Sequence, residues 1–406
     1  MPLTKNEIIE KVLKISDFPE LNPMQKEVLK KGLLDGKNLV VAAPTASGKT
    51  LLCELAGINT HLNERRKMIY LGPLVALVSE KYNSFKKKYS SSIRVAMSVG
   101  DYDSSDHWLA DYDWILMSNE KCDSLIRHGA SWIKDVGLIL VDEIHMLHDP
   151  SRGPTLEVTL TRLRELLPHA QILALSATIN NAEELAHWLN AEVIVSEYRP
   201  VELHEGVYHD SKIKFLEKDN YDLNEDFEAE QAIFDNTVNM KKQALFFVAT
   251  RRSTESLAEK LGKFNRKNLG KNEKEYLEKL SYEIENVLEV PTRQCKKISA
   301  CVKNGVAFHH AGLLYKQKQM IEQNFKNGSI KSIAATPTLA YGVNLPAFRV
   351  IVRDVKRYYA GYGSRFIPVL EYKQFCGRAG RPQYDKWGES ILVAKSEDEA
   401  QGLMDN

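Results

Sequence analysis

The stretch Asn38-Leu-Val-Val-Ala-Ala-Pro-Thr-Ala-Ser-Gly-Lys-Thr50 constrains this chain more than any other. Leu39 to Ala42 has the length and composition of a buried strand, and it breaks into small residues ending in Gly48-Lys49-Thr50. From Ala43 to Gly48, consecutive backbone N–H groups can converge on an anion. The helix that follows, from Leu51 toward Gly57, adds partial positive charge at its N-terminus. This is the pattern of a phosphate-binding loop, with Ala43 in place of the first glycine. On that reading Ala46, Ser47 and Gly48 cradle phosphate, Lys49 reaches the β and γ phosphates, and the Thr50 hydroxyl holds Mg²⁺.

Short apolar runs alternating with helical patterns follow, which predicts βαβ units and a parallel sheet. Strands are expected at Lys67 to Leu71, Arg94 to Ser98, Trp114 to Met117, Gly137 to Val141 and Ile172 to Leu175. Ligands of such sheets collect at the carboxyl ends of the strands. Polar clusters stand there: Gly72-Pro73, Val99-Gly100-Asp101 and Ser118-Asn-Glu-Lys121. The run Leu138-Ile-Leu-Val-Asp-Glu-Ile-His145 delivers two adjacent carboxylates to a strand end. Asp142 suits a metal, and Glu143 suits an attacking water. His145 is a candidate relay to Ser176 and Thr178, which follow the next strand. Upstream, a helix is expected over Asn6 to Ile15 and another over Met24 to Leu34. Gln25 either hydrogen-bonds an adenine edge while Phe18 stacks on the base, or sits solvated after a proline-directed turn.

The pattern pauses around Tyr198-Arg-Pro200, and Glu217 to Glu230 reads as a solvated acidic excursion, so domains are expected over 1–199 and 200–406. A second βα series starts with a strand at Ala244 to Val248, followed by Arg252. Lys260 to Lys303 is charged with helical spacing, a solvated helical face rather than a partner surface. In Val306-Ala-Phe-His-His-Ala-Gly312, adjacent histidines on an extended chain point to opposite faces, which argues against metal. A helix over Tyr315 to Lys326 stops at Asn327-Gly328, and a strand over Ile330 to Ala334 leads to Thr336 and Thr338. In Tyr372-Lys-Gln-Phe-Cys-Gly-Arg-Ala-Gly-Arg-Pro382, Arg378 and Arg381 are one helical turn apart and share a face, while Gly377 and Gly380 permit close approach. Arg353 to Ile367, with Tyr358, Tyr359, Tyr362 and Phe366 around a Gly-x-Gly turn, reads as a hairpin. Its aromatics either stack on a base or pack on their own domain.

With 55 basic against 54 acidic residues, no global field announces a polyanionic partner, so a nucleic-acid site has to be local. The N-terminus lacks an apolar signal core and no apolar run approaches a membrane span, which predicts a soluble, intracellular chain without membrane contact. The five cysteines show no metal or disulfide spacing and read as packing residues.

Together these motifs resemble those of superfamily 2 DExH-box helicases. Ala43 to Thr50 resembles motif I, Asp142 to His145 motif II, Ser176 to Thr178 motif III, and Gln25 the adenine-reading Q motif. Pro73-Leu-Val-Ala-Leu-Val-Ser-Glu-Lys-Tyr82, Asn119 to Leu125 and Arg152 to Glu157 resemble the Ski-like group, especially its archaeal DNA-repair branch, the Hjm/HelQ helicases. That family usually has Arg where this chain has Val75. Ala335 to Pro346 resembles motif V, which implies Thr336 and Thr338 on a nucleic-acid backbone and Gly342 and Asn344 near the nucleotide. Tyr372 to Pro382 resembles motif VI, which implies Arg378, Arg381 and Gln374 acting on the triphosphate. The resemblance further assigns Pro73, Gly100, Ser118, Arg252, His309 and His310 to the nucleic-acid path, and the hairpin to a strand-separating pin.

The resemblance implies an α/β fold of two tandem RecA-like domains with parallel sheets and an interdomain nucleotide cleft. It implies ATP and Mg²⁺ as ligands and single-stranded or forked DNA as partner, with 3′ to 5′ movement, RNA remaining open. It also implies a monomer, cytoplasmic in a prokaryote or archaeon and nuclear in a eukaryote. Relatives of this type continue past motif VI into winged-helix and ratchet domains, whereas this chain stops about 25 residues after Arg381, so a motor core without them is expected. A DNA helicase, an RNA-directed relative and a nucleotide-switched clamp are the three functional expectations.

Overall fold

The computed structural model describes residues 2–100, 106–342, 345–359, 363–382 and 384–405, in two units, Met1–Arg199 and Pro200–Asn406. In the first unit, α1 (Lys5–Ser16) and α2 (Pro23–Lys30) each begin in a reciprocal capping box, Thr4 with Glu7 and Asn22 with Gln25. β1 (Leu39–Ala42) and α3 (Lys49–Asn59) flank the phosphate-loop sequence. Next come β2 (Lys67–Gly72), α4 (Val75–Tyr89), β3 (Val95–Ser98), β4 (Trp114–Ser118) and α5 (Asn119–Arg127). β5 (Val136–Val141), α6 (Gly153–Leu166), β6 (Gln171–Ser176), α7 (Ala182–Leu189) and β7 (Glu192–Val195) complete it. Its seven strands run in the order β3-β4-β2-β5-β6-β1-β7, all parallel.

Helices cover both faces of that sheet, which is why its strands read as continuous apolar runs rather than alternating ones. Leu39 and Val41 enter a core with Leu52, Leu55, Phe85 and Trp114, while Val40 enters the opposite one with Leu125, Leu160 and Leu163. Each such buried side chain is worth roughly 1.5–3 kcal/mol. The edge strand β7 was not expected from the sequence.

The second unit opens with β8 (Glu202–His209), β9 (Lys212–Phe215), β10 (Tyr221–Asp222) and α8 (Ala229–Asn239). β11 (Ala244–Phe247), α9 (Arg251–Asn265), α10 (Lys271–Glu285), α11 (Arg293–Val302), β12 (Val306–His309) and α12 (Tyr315–Lys326) follow. Then come β13 (Ser332–Ala335), α13 (Thr338–Gly342), β14 (Arg349–Val352), β15 (Lys356–Tyr359) and β16 (Gly363–Phe366). α14 (Val369–Cys376), β17 (Trp387–Val393) and α15 (Glu397–Met404) end it. Among the described residues, no helix is long and apolar enough to cross a membrane.

The second sheet is parallel over most of its width, as expected, and carries an antiparallel extension that was not expected. The order is β10-β9-β8-β17-β14-β11-β13-β12, parallel from β8 to β12 but antiparallel along β8-β9-β10. Asp210 and Ser211, both at positive φ (46° and 59°), make the two-residue turn that folds β9 back on β8. The acidic segment after Glu217 is not a free excursion either. Tyr221 donates to the buried Glu389 at 2.9 Å, Lys218 pairs with the same carboxylate, and Leu223 is buried. In the charged segment, Leu277, Leu280, Ile284, Ile298 and Val302 face the core and the charges face outward, the amphipathic pattern of a surface helix pair.

Candidate nucleotide site

At the carboxyl ends of β1, β5 and β6 the chain gathers the phosphate loop, Asp142-Glu143 and Ser176-Ala177. Ala46 and Gly48 both take positive φ, 67° and 90°. For Ala46 this is a strained conformation, of order 1–2 kcal/mol. Two side chains from the turn into α2 brace the loop. Asn22 Nδ2 donates to Ser47 O at 2.8 Å, and Gln25 Nε2 donates to Gly48 O at 3.0 Å. A Cβ on Gly48 would lie 2.6 Å from Gln25 Nε2, so this position requires glycine on two counts. Gln25 is 4% exposed, which overturns its reading as a solvated residue; Phe18 is exposed, open to stacking.

Lys49 Nζ donates to the carbonyls of Ala43 (2.6 Å) and Pro44 (3.1 Å). The Thr50 hydroxyl accepts from Lys81 Nζ at 2.6 Å. Ser47 Oγ is buried and has no hydrogen-bond partner among the described residues. An unsatisfied buried hydroxyl in a loop of this shape fits a phosphate acceptor.

Glu143 also has positive φ, 53°, and follows a fully buried strand. Asp142 accepts from the buried Tyr70 hydroxyl at 2.5 Å on Oδ2 and from the Glu143 N–H at 3.1 Å on Oδ1. Burial, then the Asp142 charge, holds the Tyr70 hydroxyl well above the usual phenol range, so it stays a donor. One carboxylate and one hydroxyl, both hard oxygen donors, fit Mg²⁺, which keeps waters and takes phosphate oxygens for its remaining positions. Among the described residues there is no group of three or more His, Cys, Asp or Glu able to hold a metal alone.

His145 is buried, and its Nδ1 accepts from Ala177 N–H and meets Ser176 Oγ, both at 3.3 Å. Because a backbone N–H only donates, Nδ1 carries the lone pair and the ring is neutral. Burial, with the charges of Lys49 and His148, pushes its pKa down to about 3. The approach of Glu143 Oε2 to the same nitrogen, 3.4 Å, is therefore not an ion pair. Thr178 is exposed and reaches neither His145 nor Asp142, so only part of the expected relay is built.

The residues expected on a nucleic-acid path divide into buried and exposed ones. Ser118 is buried as the N-cap of α5, accepting from Lys121 N–H at 3.2 Å, and Pro73 is buried with its carbonyl accepting from Arg152 at 3.3 Å. Both are committed to local structure. His309 and His310 are 5% and 2% exposed; His309 Nε2 meets Glu322 at 3.0 Å, and His310 accepts from Gly312 N–H at 3.1 Å. Thr336 is buried and shares a 2.9 Å hydrogen bond with the exposed Thr338. Gly100, Val75 and Arg252 are exposed. Gly342 ends α13, whereas Asn344 and Tyr362 lie outside the described residues.

The hairpin expected over Arg353 to Ile367 is β15-β16, pairing Lys356 with Phe366 and Tyr359 with Gly363. Tyr358 is 75% exposed and Phe366 49%, which sets aside tight packing of these two rings on their own domain.

Arg378 and Arg381 do not share a helix face, because α14 ends at Cys376. Gly380, at φ 86°, turns the chain away, and Ala379 bridges to Ala347. Arg378 donates to Ala340 O, and Arg381 donates to Asp385 Oδ2 (2.8 Å) and Gln243 Oε1 (2.6 Å). Gln374 is buried on α14. Lys242 also donates to Asp385, at 2.6 Å. Burial raises the Asp385 carboxyl, but Arg381 and Lys242 outweigh it and hold it low.

Sequence reasoning missed Asn22, Tyr70, Lys81, Gln243 and Asp385. Only Asn22 carried a local signal, as the N-cap three residues before Gln25. It also missed a cavity of about 650 Å³ in the second unit, where Arg293 and Lys297 of α11 join Arg251, Arg252 and His310. A larger cavity of about 790 Å³ lies at the amino ends of β2 and β5, lined by Arg65, Arg66 and Lys134, away from every motif above.

Residues 22–185 match a DEAD/DEAH box helicase model, and residues 228–383 match a helicase conserved C-terminal domain. The chain is 47% identical over 396 residues to the ATP-dependent DNA helicase Hel308 of Methanocella arvoryzae, covering 96% of this chain and 53% of that protein. It is 46% identical over 393 residues to Hel308 of Pyrococcus horikoshii, covering 97% and 53%. The chain thus spans about half the length of the relatives it matches.

Proposed function

Because this chain belongs to the superfamily 2 helicases, with a DEAD/DEAH box domain followed by a helicase conserved C-terminal domain, we propose that it is an ATP-driven DNA translocase motor. The observation that carries this is the convergence of the braced phosphate loop, Asp142-Glu143 and the His145 contact on one edge of a single parallel sheet. DNA as the substrate is supported by the relatives, which are ATP-dependent DNA helicases. Movement 3′ to 5′ and action on forked DNA rest on the family resemblance.

In this reading the loop N–H groups and Lys49 bind the triphosphate, and Thr50 and Asp142 hold Mg²⁺. Held there, Mg²⁺ would supply neutralisation of phosphate charge and polarisation of the phosphoryl group. Glu143 orients the attacking water and takes its proton. Neutral His145 ties motif II to β6 through Ala177, so displacement of Glu143 is felt at that strand end. The family resemblance assigns to Arg378 and Arg381 the neutralising of charge on the transferring phosphoryl group, a role worth roughly 10³–10⁵ in rate. Arg381 is suited to this because Asp385 and Gln243 fix its plane while leaving N–H groups to donate. Tyr358 and Phe366 offer exposed rings for base stacking. The cavity with Arg251, Arg252 and Arg293 offers a phosphate grip whose strength falls with salt.

A second reading, a nucleotide-switched clamp with little turnover, is favoured by one feature: Val75, 49% exposed at the start of α4, stands where the family places an arginine. Steady-state ATP hydrolysis alone, with single-stranded DNA and with single-stranded RNA of equal length, decides. Stimulation by DNA over RNA is expected. Tight ATP binding without turnover on either would favour the clamp, and RNA preference would overturn DNA as substrate. Glu143→Gln is expected to keep ATP binding and lose hydrolysis; retained turnover would remove Glu143 from its role.

A further inference from the structure

Lys81 lies on α4, one residue after Glu80 and six after the exposed Val75, and its side chain is half-buried. Among the described residues no carboxylate lies within ion-pairing distance of it, an uncommon state for a half-buried ammonium. Its hydrogen-bond partner is instead the Thr50 hydroxyl, at 2.6 Å. Lys88, two turns further along α4, shows the ordinary alternative: it pairs with the buried Glu54 of α3 at 2.7 Å. So α4 sends two cations to α3, one to a carboxylate and one to the hydroxyl that the phosphate-loop pattern gives to a metal.

Burial pushes the Cys53 thiol up, and after burial the two strongest influences on it are the Asp142 carboxylate, which raises it, and Lys81, which lowers it. Cys53 is on α3, one turn from Thr50. A hydroxyl oxygen accepting from an ammonium at this distance presents to it a lone pair that a metal ion would take. Like charges at such range repel strongly where water is scarce.

We propose that Lys81 is a resident cation of the metal position. Its ammonium holds the Thr50 hydroxyl, and it releases that oxygen when Mg²⁺ and nucleotide bind. The consequence is a direct line from nucleotide to α4. That helix starts at Val75, following β2 through Pro73 and Leu74, so the state of the Lys81 contact reports nucleotide occupancy to the strand-end loop. This rests on the reading of Thr50 and Asp142 as the groups that hold Mg²⁺.

The test is equilibrium binding of a fluorescent ATP analogue to the whole chain, titrated with Mg²⁺, with Mn²⁺ binding followed by electron paramagnetic resonance as a readout independent of turnover. Lys81→Met is expected to lower the Mg²⁺ midpoint roughly tenfold, the equivalent of one charge-assisted hydrogen bond. Lys81→Arg, which keeps the charge, is expected to stay near wild type. If Lys81→Met does not fold, Lys81→Gln, which keeps a donor and removes the charge, is expected to shift the same way. A purely structural role for Lys81 would weaken binding, never tighten it. A midpoint unchanged or raised in the charge-removing variants, with nucleotide binding intact, would overturn the proposal alone. Failure of the wild-type chain to bind nucleotide at any Mg²⁺ concentration would overturn the phosphate-loop reading itself, and the proposal with it.

Discussion

Replacing Tyr70 by Phe isolates one hydrogen bond at the centre of the candidate site. Tyr70 is fully buried on β2, its ring edge-on to Phe85 at 6.4 Å between centroids, and its hydroxyl donates to Asp142 Oδ2 at 2.5 Å. Phe keeps the ring and its packing, so the change removes one donor to a carboxylate and nothing else of size. Asp142 is only 9% exposed, and Oδ1 keeps just the Glu143 N–H at 3.1 Å. Hydrogen bonds to charged groups contribute about 1.5–3 kcal/mol net, so the first unit loses on the order of 2 kcal/mol. For a unit of this size each kcal/mol moves Tm by roughly 2–4 °C, which gives a drop of about 4–8 °C. The functional effect is separate. Tyr70 fixes the rotamer of the carboxylate assigned to the metal, and loss of such a supporting contact typically weakens metal affinity ~10–100-fold. Calorimetry of the nucleotide-free chain measures the first quantity, and Mg²⁺-dependent nucleotide binding measures the second. If Tyr70→Phe melts with wild type and needs no more Mg²⁺, the Tyr70–Asp142 contact does not organise the site and the argument is refuted.

Three further outcomes follow from named contacts. Gly48→Ala places a Cβ 2.6 Å from Gln25 Nε2 and 3.0 Å from Asn22 Nδ2 at φ 90°, so both loop braces shift and nucleotide affinity, read by equilibrium titration, should fall at least about tenfold. Glu389→Gln leaves Arg349, fully buried and 2.7 Å from that carboxylate through Nε, without its counter-charge; the second unit should lose about 3–5 kcal/mol, visible as a lowered transition in calorimetry, and an unchanged transition would show the pair to be dispensable. His145 titrates near 3 when folded and near 6.5 when unfolded, so between those values the unfolded chain binds the extra proton. Stability contributed by neutral His145 is therefore complete above about pH 6.5 and declines as pH falls toward 3, by up to about 1.4 kcal/mol per pH unit. Urea titrations of wild type and His145→Asn across that range should show a shallower slope in the variant, and identical slopes would contradict the burial argument.

What the sequence made legible was whatever is written in neighbouring residues. The strand, loop and helix around Gly48 occur where the pattern places them, because chain-local properties, an apolar run, small residues and a helix start, suffice to specify that turn. The parallel strands of the first unit were readable for the same reason: burial on both faces forces continuous apolar runs. The β8-β9-β10 meander was not, since its turn is Asp210-Ser211 rather than the Asn-Gly or Asp-Gly that signals a hairpin. The shared helix face of Arg378 and Arg381 failed for a different reason. Three-residue spacing is only a necessary condition for a shared face, and here Gly380 opposite Gly388 allows the chain to leave the helix and pack backbone to backbone, where a Cβ on Gly388 would lie 2.3 Å from Gly380 N.

Gln25 shows where local reading ends and tertiary structure begins. Its place at the third position of α2, after an Asn-Pro pair, is a capping signal that a sequence displays openly. The same side chain also donates to Gly48, 23 residues away, and no periodicity could announce that. One amide thereby satisfies a helix N-terminus with its oxygen and braces a phosphate loop with its nitrogen. Substituting it with Glu would keep the cap, since a carboxylate accepts as well as an amide oxygen, but would set an acceptor against the Gly48 carbonyl. The cap and the brace are thus separable by a single-atom change, and the brace is the one on which nucleotide binding should depend.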